Sequence, residues 1–124
     1  MGKECIVCNR SDAEGHHIVF RGQQQEMIEC PLNKIYLCYE HHKGNSGPHL
    51  KREIDLKYKR ELQEKLQELF DEEYYSEDEI KIMLMIPKRN SYRFIKTLKS
   101  YFINTKVKYK TEDIIRKAMG GQLY

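Results

Sequence analysis

The spacing of hydrophobic residues changes along the chain from short runs to a helical period. Within residues 15–37 the apolar positions form two short runs. The first contains β-branched Ile18 and Val19 and predicts a strand over residues 15–20, and the second predicts a returning strand over residues 35–37. From about residue 50 to residue 74, apolar residues recur at helical spacing and predict one long amphipathic helix with a stripe of Ile54, Tyr58, Leu62, Leu66 and Leu69.

Capping and turn residues divide the second half of the chain into shorter elements. Ser76 and Glu79 form a capping box, which predicts a helix start, and Pro87 predicts the end of that helix. Asn90 or Ser91 is predicted to cap the next helix. Two further features then complete the chain, an alternating strand over residues 104–109 and a last helix that runs from Thr111 to Gly120 and Gly121.

A short helix is predicted between the two strands and the long helix. It begins near Tyr39 and stops within residues 44–48, where Gly, Asn and Ser cluster before Pro48. Together these elements predict an α+β fold, with a hairpin and a short helix first and helices with a small sheet afterwards.

Length and composition favour a globular chain. The 124 residues allow one domain or two very small ones, and 40% of them are hydrophobic while 33% are charged. No apolar run approaches the length of a membrane span, and residues 1–4 lack the apolar segment of a signal peptide. We therefore expect a cytoplasmic protein without membrane partners.

The net charge of +3 conceals a segregation of acids and bases. Residues 53–79 contain eleven acidic and four basic residues, whereas residues 88–110 contain eight basic residues and no acidic one. Such a basic block suits contact with phosphate, although lysines are also ordinary surface residues. Aromatic residues alternate with these bases, which favours a folded basic surface over a disordered tail.

Four thiolate and imidazole donors have the spacing of a closed metal site. Cys5 and Cys8 are separated by two residues, as are Cys38 and His41. Three thiolates and one imidazole are typical of a structural tetrahedral Zn²⁺ site, and thiolate ligands indicate a reducing compartment. The alternatives are a redox pair or two disulfides in a secreted domain. The remaining thiol, Cys30, is expected to be buried and free, with replacement of one of the four ligands as the alternative.

A second set of side chains lacks thiolates and suits a different kind of site. It comprises His16, His17, Asn33, His42 and His49. Imidazoles without thiolates are typical of an open site for a divalent metal that keeps positions for water and substrate. A further imidazole beside such a metal can accept a proton from water.

These residues resemble the signature of the HNH endonucleases. The matching residues are the pair His16-His17, then Asn33, then His42, and the segment from Leu37 to His42 resembles the ending of a zinc knuckle with His41 in place of the second Cys. The resemblance is to small phage and prophage HNH proteins and covers roughly the first half of the chain. It implies a β-hairpin and a helix that grip one metal ion and hydrolyse DNA phosphodiester bonds.

The resemblance also implies a role for each matching residue. His16 and His42 would bind the catalytic metal, His17 would be the general base and Asn33 would orient that base. Related nucleases often take a further ligand one helical turn after the last His. That position is Ser46 here, and His49 is the alternative third ligand.

The last two-fifths of the chain resembles the winged helix-turn-helix of excisionase and MerR-type proteins. Residues 91–98 resemble its recognition helix and residues 106–111 its wing. The resemblance implies DNA contacts from Arg89, Arg93, Lys96, Lys106, Lys108 and Lys110. Lys81 and Met85 stand where that family often has Ala and Gly. The other interpretation is a helical appendage that completes the core.

The sequence therefore predicts three regions. Residues 1–52 form an HNH unit with structural Zn²⁺, residues 53–75 a connecting helix, and residues 76–124 a helix-turn-helix-like DNA-binding element. The expected activity is hydrolysis of double-stranded DNA with Mg²⁺, Mn²⁺, Ni²⁺ or Zn²⁺ as the catalytic ion. The alternative is a non-catalytic, zinc-stabilised DNA-binding protein of phage or prophage origin. The apolar stripe of the long helix packs on the rest of the chain or forms a homodimer.

Overall fold

The computed structural model describes residues 3–124 and has an α+β architecture, as predicted. The first half contains strand β1 (Glu14–His17), strand β2 (Lys34–Leu37), helix α1 (Tyr39–His42) and helix α2 (Arg52–Leu69). The second half contains β3 (Tyr74–Tyr75), α3 (Glu77–Leu84), α4 (Lys88–Ile95), β4 (Ser100–Ile103), β5 (Lys106–Lys110) and α5 (Thr111–Ala118).

Strands β1 and β2 form an antiparallel hairpin, in which His16 pairs with Ile35 and His17 with Lys34. The first strand was predicted over residues 15–20, but β1 ends at His17. Beyond it, the side-chain amide of Asn33 accepts from Val19 N at 2.7 Å and donates to Val19 O at 3.1 Å. The Asn33 side chain thus forms the hydrogen bonds that the backbone of a partner strand would otherwise form with Val19. The chain therefore leaves the sheet immediately after the histidine pair.

Helix α1 is a single turn, and the segment that follows it folds back against the helix. Lys43 N and Gly44 N both donate to Tyr39 O. A Cβ built on Gly47 would lie 2.3 Å from His42 O, so only glycine allows this close approach. The segment after α1 therefore stays against the helix, and His49 returns toward His42.

Helix α2 is shorter than the predicted range of residues 50–74. It ends at Leu69, because Tyr74 and Tyr75 leave the helical path and pair with Lys110 and Tyr109 of β5. The predicted apolar stripe is present and belongs to the buried core, with Tyr58, Leu62 and Leu66 buried. The chain's own core thus covers the surface considered for dimerisation, and a homodimer stays a prediction.

Helices α3 and α4 are joined by a tight turn. The predicted capping box is confirmed, because Ser76 Oγ accepts from Glu79 N and Glu79 Oε1 accepts from Ser76 N. Helix α3 ends with Met85 in the left-handed region at φ 54°. This conformation is strained for a residue with a side chain, and the closed turn holds Met85 in it.

The predicted cap of α4 at Asn90 or Ser91 is wrong. The helix begins at Lys88, directly after Pro87, and both Asn90 and Ser91 are buried within it. Pro87 O accepts from Asn90 N and Ser91 N, so the proline supplies the helix start. Ser91 Oγ turns inward and donates to Lys88 O at 2.9 Å and to Glu77 Oε2 at 3.2 Å.

Strands β3, β5 and β4 form a second sheet, in that order. The hairpin β4–β5 turns at Asn104 and Thr105, both with positive φ, as a tight two-residue hairpin turn requires. Helix α5 follows β5 directly and is followed by Gly120 and Gly121 in the left-handed region, as predicted.

Contacts cross both of the expected boundaries between regions. Gln24 Nε2 donates to Lys117 O at 2.8 Å, and the Gln63 amide holds both N and O of Tyr124. One buried apolar cluster extends from Cys5 to Met119. The division into residues 1–52, 53–75 and 76–124 stays a prediction about units that are packed against each other. Within residues 3–124, no helix has the combination of length and hydropathy that a membrane span requires.

Candidate metal centres

The side chains of Cys5, Cys8, Cys38 and His41 converge on one point and could hold a metal ion such as Zn²⁺. Cys8 Sγ lies 3.7 Å from Cys38 Sγ, and His41 Nδ1 lies 3.2 Å from Cys38 Sγ and 3.6 Å from Cys5 Sγ. Tetrahedral Zn²⁺ with bonds of about 2.3 Å to sulfur and 2.0 Å to nitrogen separates its ligands by about 3.5–3.8 Å. The separations of 3.6 and 3.7 Å match these values and the separation of 3.2 Å is shorter, so the set is close to the geometry that such an ion requires. We call these four residues the knuckle set.

Local backbone bonds shape the knuckle set. Cys5 N donates to Arg10 O and Asn9 N to Cys5 O, while Asn9 takes φ 66° to close the turn. Burial raises the pKa of the Cys5 thiol, but backbone N–H donors from Cys38, Cys8 and Val7 outweigh it and bring that pKa to about 6. A thiolate at this position is therefore readily formed, as a metal ligand requires.

Cys30 lies outside the knuckle set. It is buried and free, as predicted. Burial raises its pKa, so this thiol stays protonated and packs as a small apolar group.

A second group brings together His16, His42 and His49, which we call the histidine triad. His42 Nε2 lies 3.1 Å from His16 Nδ1 and 3.0 Å from His49 Nε2. Nitrogens bound at about 2.1 Å to one ion with angles near 90° are separated by about 3.0 Å. The spacing thus fits three ligands on one side of an ion and leaves the other side open to water or substrate.

Hydrogen bonding alone does not explain the triad. His42 Nδ1 lies 2.6 Å from Glu14 Oε1, so Nδ1 carries the proton that the carboxylate accepts. His42 Nε2 then has either one lone pair or one proton to offer, so it can form a hydrogen bond with only one of the two nitrogens facing it. His16 Nε2 is buried and has no hydrogen-bond partner among residues 3–124. A cation at the meeting point would take up the lone pairs of His16 Nδ1, His42 Nε2 and His49 Nε2, and His16 Nε2 would then carry the proton of its ring.

The electrostatics of the triad favour neutral imidazoles at His16 and His49. Burial and the neighbouring His42 and His49 lower the pKa of His16 to about 3, and burial lowers the pKa of His49 as well. The hydrogen bond from His42 lowers the pKa of Glu14, which keeps that carboxylate ionised. Neutral imidazoles with a carboxylate behind one of them are typical of metal ligands.

Aromatic packing holds His49, which lies beyond the end of α1. The rings of Phe20 and His49 are stacked at 13°, with centroids 5.8 Å apart, and Phe20 also meets His16 edge-on. The ammonium of Lys59 lies over the Phe20 ring, 4.3 Å from its centroid. Lys59 is only 1% exposed and is paired with the Asp55 carboxylate at 2.8 and 3.0 Å. A buried ion pair therefore supports the ring against which His49 packs.

His17 is half-buried beside the triad, with a defined tautomer. Its Nε2 lies 3.1 Å from Ile28 O, a carbonyl that can only accept, so Nε2 is the protonated nitrogen and Nδ1 carries the lone pair. Burial lowers the pKa of His17, the bond to Ile28 opposes that shift, and Arg21 and Lys34 lower the pKa further. His17 is accordingly a neutral base with one free nitrogen.

Within residues 3–124, the Asn33 side chain forms no hydrogen bond with the His17 ring. Its amide bonds Val19 and donates to Met27 O at 3.1 Å. Met27 precedes Ile28, whose carbonyl holds His17. Any orientation of His17 by Asn33 is therefore indirect and passes through the loop between β1 and β2.

An open cleft of about 600 Å³ contains the triad and His17 together. We call it the metal cleft, and its lining is formed by Gly15, His16, His17, Phe20, Arg21, Gly22, Lys34, His42, Lys43 and His49. The structure thus places the sequence-predicted histidines His16, His17, His42 and His49 around one space, with Asn33 buried behind it.

The basic residues singled out in the second half have different surroundings. Arg93 on α4 and Lys96 directly after its last residue are exposed, and the Lys96 ammonium lies 5.1 Å from the Tyr92 ring centroid. Arg89, by contrast, is paired with Glu29 at 3.3 Å. Lys106 is exposed near the β4–β5 turn, whereas Lys108 and Lys110 are half-buried.

The sequence analysis missed three residues that shape the triad. Glu14 could have been found, because residues 14 and 16 of a strand share a face. Lys59 and Asp55 could have been suspected from a lysine and an aspartate four residues apart within an apolar stripe. Their burial depends on Phe20, which no local pattern places near α2.

Comparisons of the chain with protein-family models, with curated proteins and with solved structures found no match.

Proposed function

We propose that this protein is a metal-dependent endonuclease of the HNH type that hydrolyses DNA phosphodiester bonds. One observation carries the proposal. His17, a neutral base with a free nitrogen, lines the same cleft as three imidazoles whose spacing fits one metal ion. The knuckle set is the second, closed site, and its role is to stabilise the fold.

The histidine triad would hold the catalytic ion. An all-imidazole donor set favours Ni²⁺ or Zn²⁺ over Mg²⁺, which prefers oxygen ligands, with Mn²⁺ between them. When bound, a divalent ion supplies positive charge at the scissile phosphate and at the leaving oxygen. Glu14 keeps the His42 ring oriented and Phe20 keeps His49 in place.

The chemical step needs a proton acceptor from the protein. His17 Nδ1 takes a proton from a water molecule as the water oxygen bonds to phosphorus, and the ester P–O bond breaks. The leaving oxygen takes a proton from solvent water, and His17 later returns its proton to solvent. The hydrogen bond to Ile28 O keeps the ring in the required tautomer throughout.

The basic residues of the second half would supply DNA affinity. Three of them are exposed, namely Arg93 on α4, Lys96 at its C-terminal end and Lys106 near the hairpin turn. Helix α3, the turn at Met85, helix α4 and the β4–β5 hairpin follow in the order of a winged helix-turn-helix. In such an element the second helix enters the major groove of duplex DNA.

A plasmid-cleavage assay tests the proposal. The full chain, carrying Zn²⁺ in the knuckle set, is incubated with supercoiled plasmid and added Mg²⁺, Mn²⁺, Ni²⁺ or Zn²⁺. We expect cleavage with at least one ion, and a loss of about 10²–10⁴-fold for His17→Ala, because a general base contributes to the transition state. Asn45→Ala, at an exposed residue outside the metal cleft, is the control and should cleave like the parent.

A non-catalytic, zinc-stabilised DNA-binding protein is the second candidate. It is favoured by the exposed bases of α4, which do not require the histidine triad. The same assay separates the two candidates. Plasmid binding without cleavage by any of the four ions, with an intact zinc content, would favour the second.

A further inference from the structure

Lys34 lies where two clefts of the surface meet. The metal cleft has a neighbour of about 650 Å³ on the other side of His17, lined by Ile28, Tyr36 and other residues of the hairpin region. Three residues line both clefts, namely His17, Arg21 and Lys34. A ligand that extends from one cleft into the other would pass over these three side chains.

The hairpin register places Lys34 beside the base. Lys34 is the direct partner of His17 across β1 and β2, and Gly15 is the partner of Tyr36. Residues that face each other across an antiparallel pair share one face of the sheet, as do residues two positions along a strand. His17, Lys34, Gly15 and Tyr36 therefore occupy one face, and the side chain of His16 belongs to the other.

Gly15 provides the path that the Lys34 side chain follows. A Cβ built on Gly15 would lie 2.3 Å from Lys34 Cε and 3.2 Å from Lys34 Nζ. Any larger residue at position 15 would displace the lysine stem. The absence of a side chain at Gly15 thus lets the Lys34 ammonium lie across the strand, at the edge of the metal cleft.

The charge of Lys34 is not neutralised within the described chain. Between residues 3 and 124 no carboxylate lies within salt-bridge distance of its ammonium, whose recorded contact is the Tyr36 ring at 5.5 Å. Arg21 lines the same edge and is exposed. Two cations that have no carboxylate partner within residues 3–124 and that lie on either side of the His17 ring match the charge of a phosphodiester.

We propose that Lys34, laid across Gly15, binds the phosphate group that the water activated by His17 attacks. This inference rests on the proposed nuclease function and adds a catalytic residue to it. When water attacks the phosphorus atom, the negative charge on the non-bridging phosphate oxygens increases. An ammonium beside those oxygens therefore stabilises the transition state more than it stabilises the bound substrate.

Two lysines of this chain allow a matched comparison. Lys3 also lies over the Tyr36 ring, at 5.6 Å, but does not line either cleft. Lys34→Met and Lys3→Met remove the same charge from neighbouring positions. Initial rates are measured at saturating metal with two substrates, plasmid DNA and bis(p-nitrophenyl) phosphate, whose single phosphodiester lacks flanking phosphates.

We expect Lys34→Met to lower kcat at least about tenfold on both substrates, and Lys34→Arg to recover part of that loss. Lys3→Met should leave kcat near the parent value. Equal rates for Lys34→Met and Lys3→Met would overturn the inference. So would a change confined to KM for DNA, because Lys34 would then contact a flanking phosphate.

Gly15→Ala tests whether the position of the Lys34 side chain matters, because it displaces that side chain without removing its charge. It should reproduce the loss of kcat, whereas Asn45→Ala, at an exposed residue outside the metal cleft, should not. Adding Gly15→Ala to Lys34→Met should cost little more, because both changes act on one interaction. Additive losses would show that Gly15 serves only the fold and would overturn its assigned role.

These outcomes are distinguishable from failure of the nuclease proposal itself. If the parent chain cleaves neither substrate with any of the four ions, the proposed function fails and the role of Lys34 fails with it. If the parent cleaves and Lys34→Met behaves like Lys3→Met, only the inference about Lys34 fails. Zinc content and thermal unfolding are measured for every variant to identify loss of fold.

Discussion

At the residue scale, the histidine triad depends on a carboxylate that does not touch the proposed metal position. Glu14 Oε1 lies 2.6 Å from His42 Nδ1, on the opposite side of the ring from His16 and His49. An ionised carboxylate there fixes the tautomer that directs the His42 Nε2 lone pair toward the other two rings. It also raises the electron density of that nitrogen.

We expect Glu14→Gln to weaken metal binding by the triad about 10–100-fold while the knuckle set keeps its Zn²⁺. The amide retains the size of the side chain but loses its charge. Titration with Co²⁺, followed by visible absorption in zinc-loaded protein, measures the affinity. Glu40→Gln on the exposed side of α1 is a suitable control. An unchanged Co²⁺ affinity for Glu14→Gln would contradict the supporting role of Glu14.

The proposed role of His17 as the general base predicts how cleavage depends on pH. Burial, together with Arg21 and Lys34, lowers the pKa of His17 below its ordinary value of 6.5. A base must be unprotonated to act, so activity is retained at neutral pH and lost as the pH falls through this lowered pKa. The rate of cleavage at saturating metal should therefore begin to fall below pH 6.5. A fall that begins above pH 7 would contradict a neutral, depressed His17.

At the scale of elements, sequence patterns anticipated the hairpin, the capping box of α3 and the position of the last helix. They failed where a residue distant in sequence determined the end or the start of an element. Strand β1 stops at His17 because the Asn33 side chain takes over the backbone of Val19. Helix α4 starts at Lys88, directly after Pro87, and the residues predicted to cap it, Asn90 and Ser91, are buried within it. Both outcomes depend on packing that residue type and spacing do not encode.

The position of His49 illustrates the same limit. Its spacing after His42 placed it beyond a glycine and a proline, outside the expected helix, and left its role open. The structure brings it to 3.0 Å from His42, because the chain doubles back where Gly47 approaches His42 O. The close approach, rather than helical spacing, supplies the third imidazole.

Gly47→Ala should therefore abolish metal binding by the triad without removing the knuckle Zn²⁺. The added Cβ would lie 2.3 Å from His42 O, so the segment that carries His49 must shift. Gly22→Ala is the matched control. Co²⁺ titration reports the triad, and metal analysis of the purified protein reports the knuckle. Retention of parent-like Co²⁺ affinity by Gly47→Ala would show that His49 reaches the triad by another route.

At the scale of the whole molecule, the second half is packed onto the first rather than appended to it. Tyr124 is held by Gln63 of α2, Lys117 O accepts from Gln24, and Arg89 is paired with Glu29. Removing the chain after Tyr75 would therefore expose the core as well as remove the basic surface. The contribution of that surface to DNA binding is better measured in the full chain.

Replacing three exposed bases separates DNA affinity from folding. The variant Arg93→Gln, Lys96→Gln, Lys106→Gln removes three charges from α4 and the β4–β5 turn, and the control Lys57→Gln, Arg60→Gln, Lys65→Gln removes three exposed charges from α2. Each phosphate contact releases about one counterion, so the first variant should bind duplex DNA more weakly and reduce the slope of log Kd against log salt by up to about three. The control should leave the slope unchanged, because those bases lie within the acidic segment of residues 53–79.

Fluorescence anisotropy with a labelled duplex, measured at several salt concentrations without catalytic metal, gives both the affinity and the slope. Equal slopes for the two variants would mean that the second half completes the core and does not bind DNA.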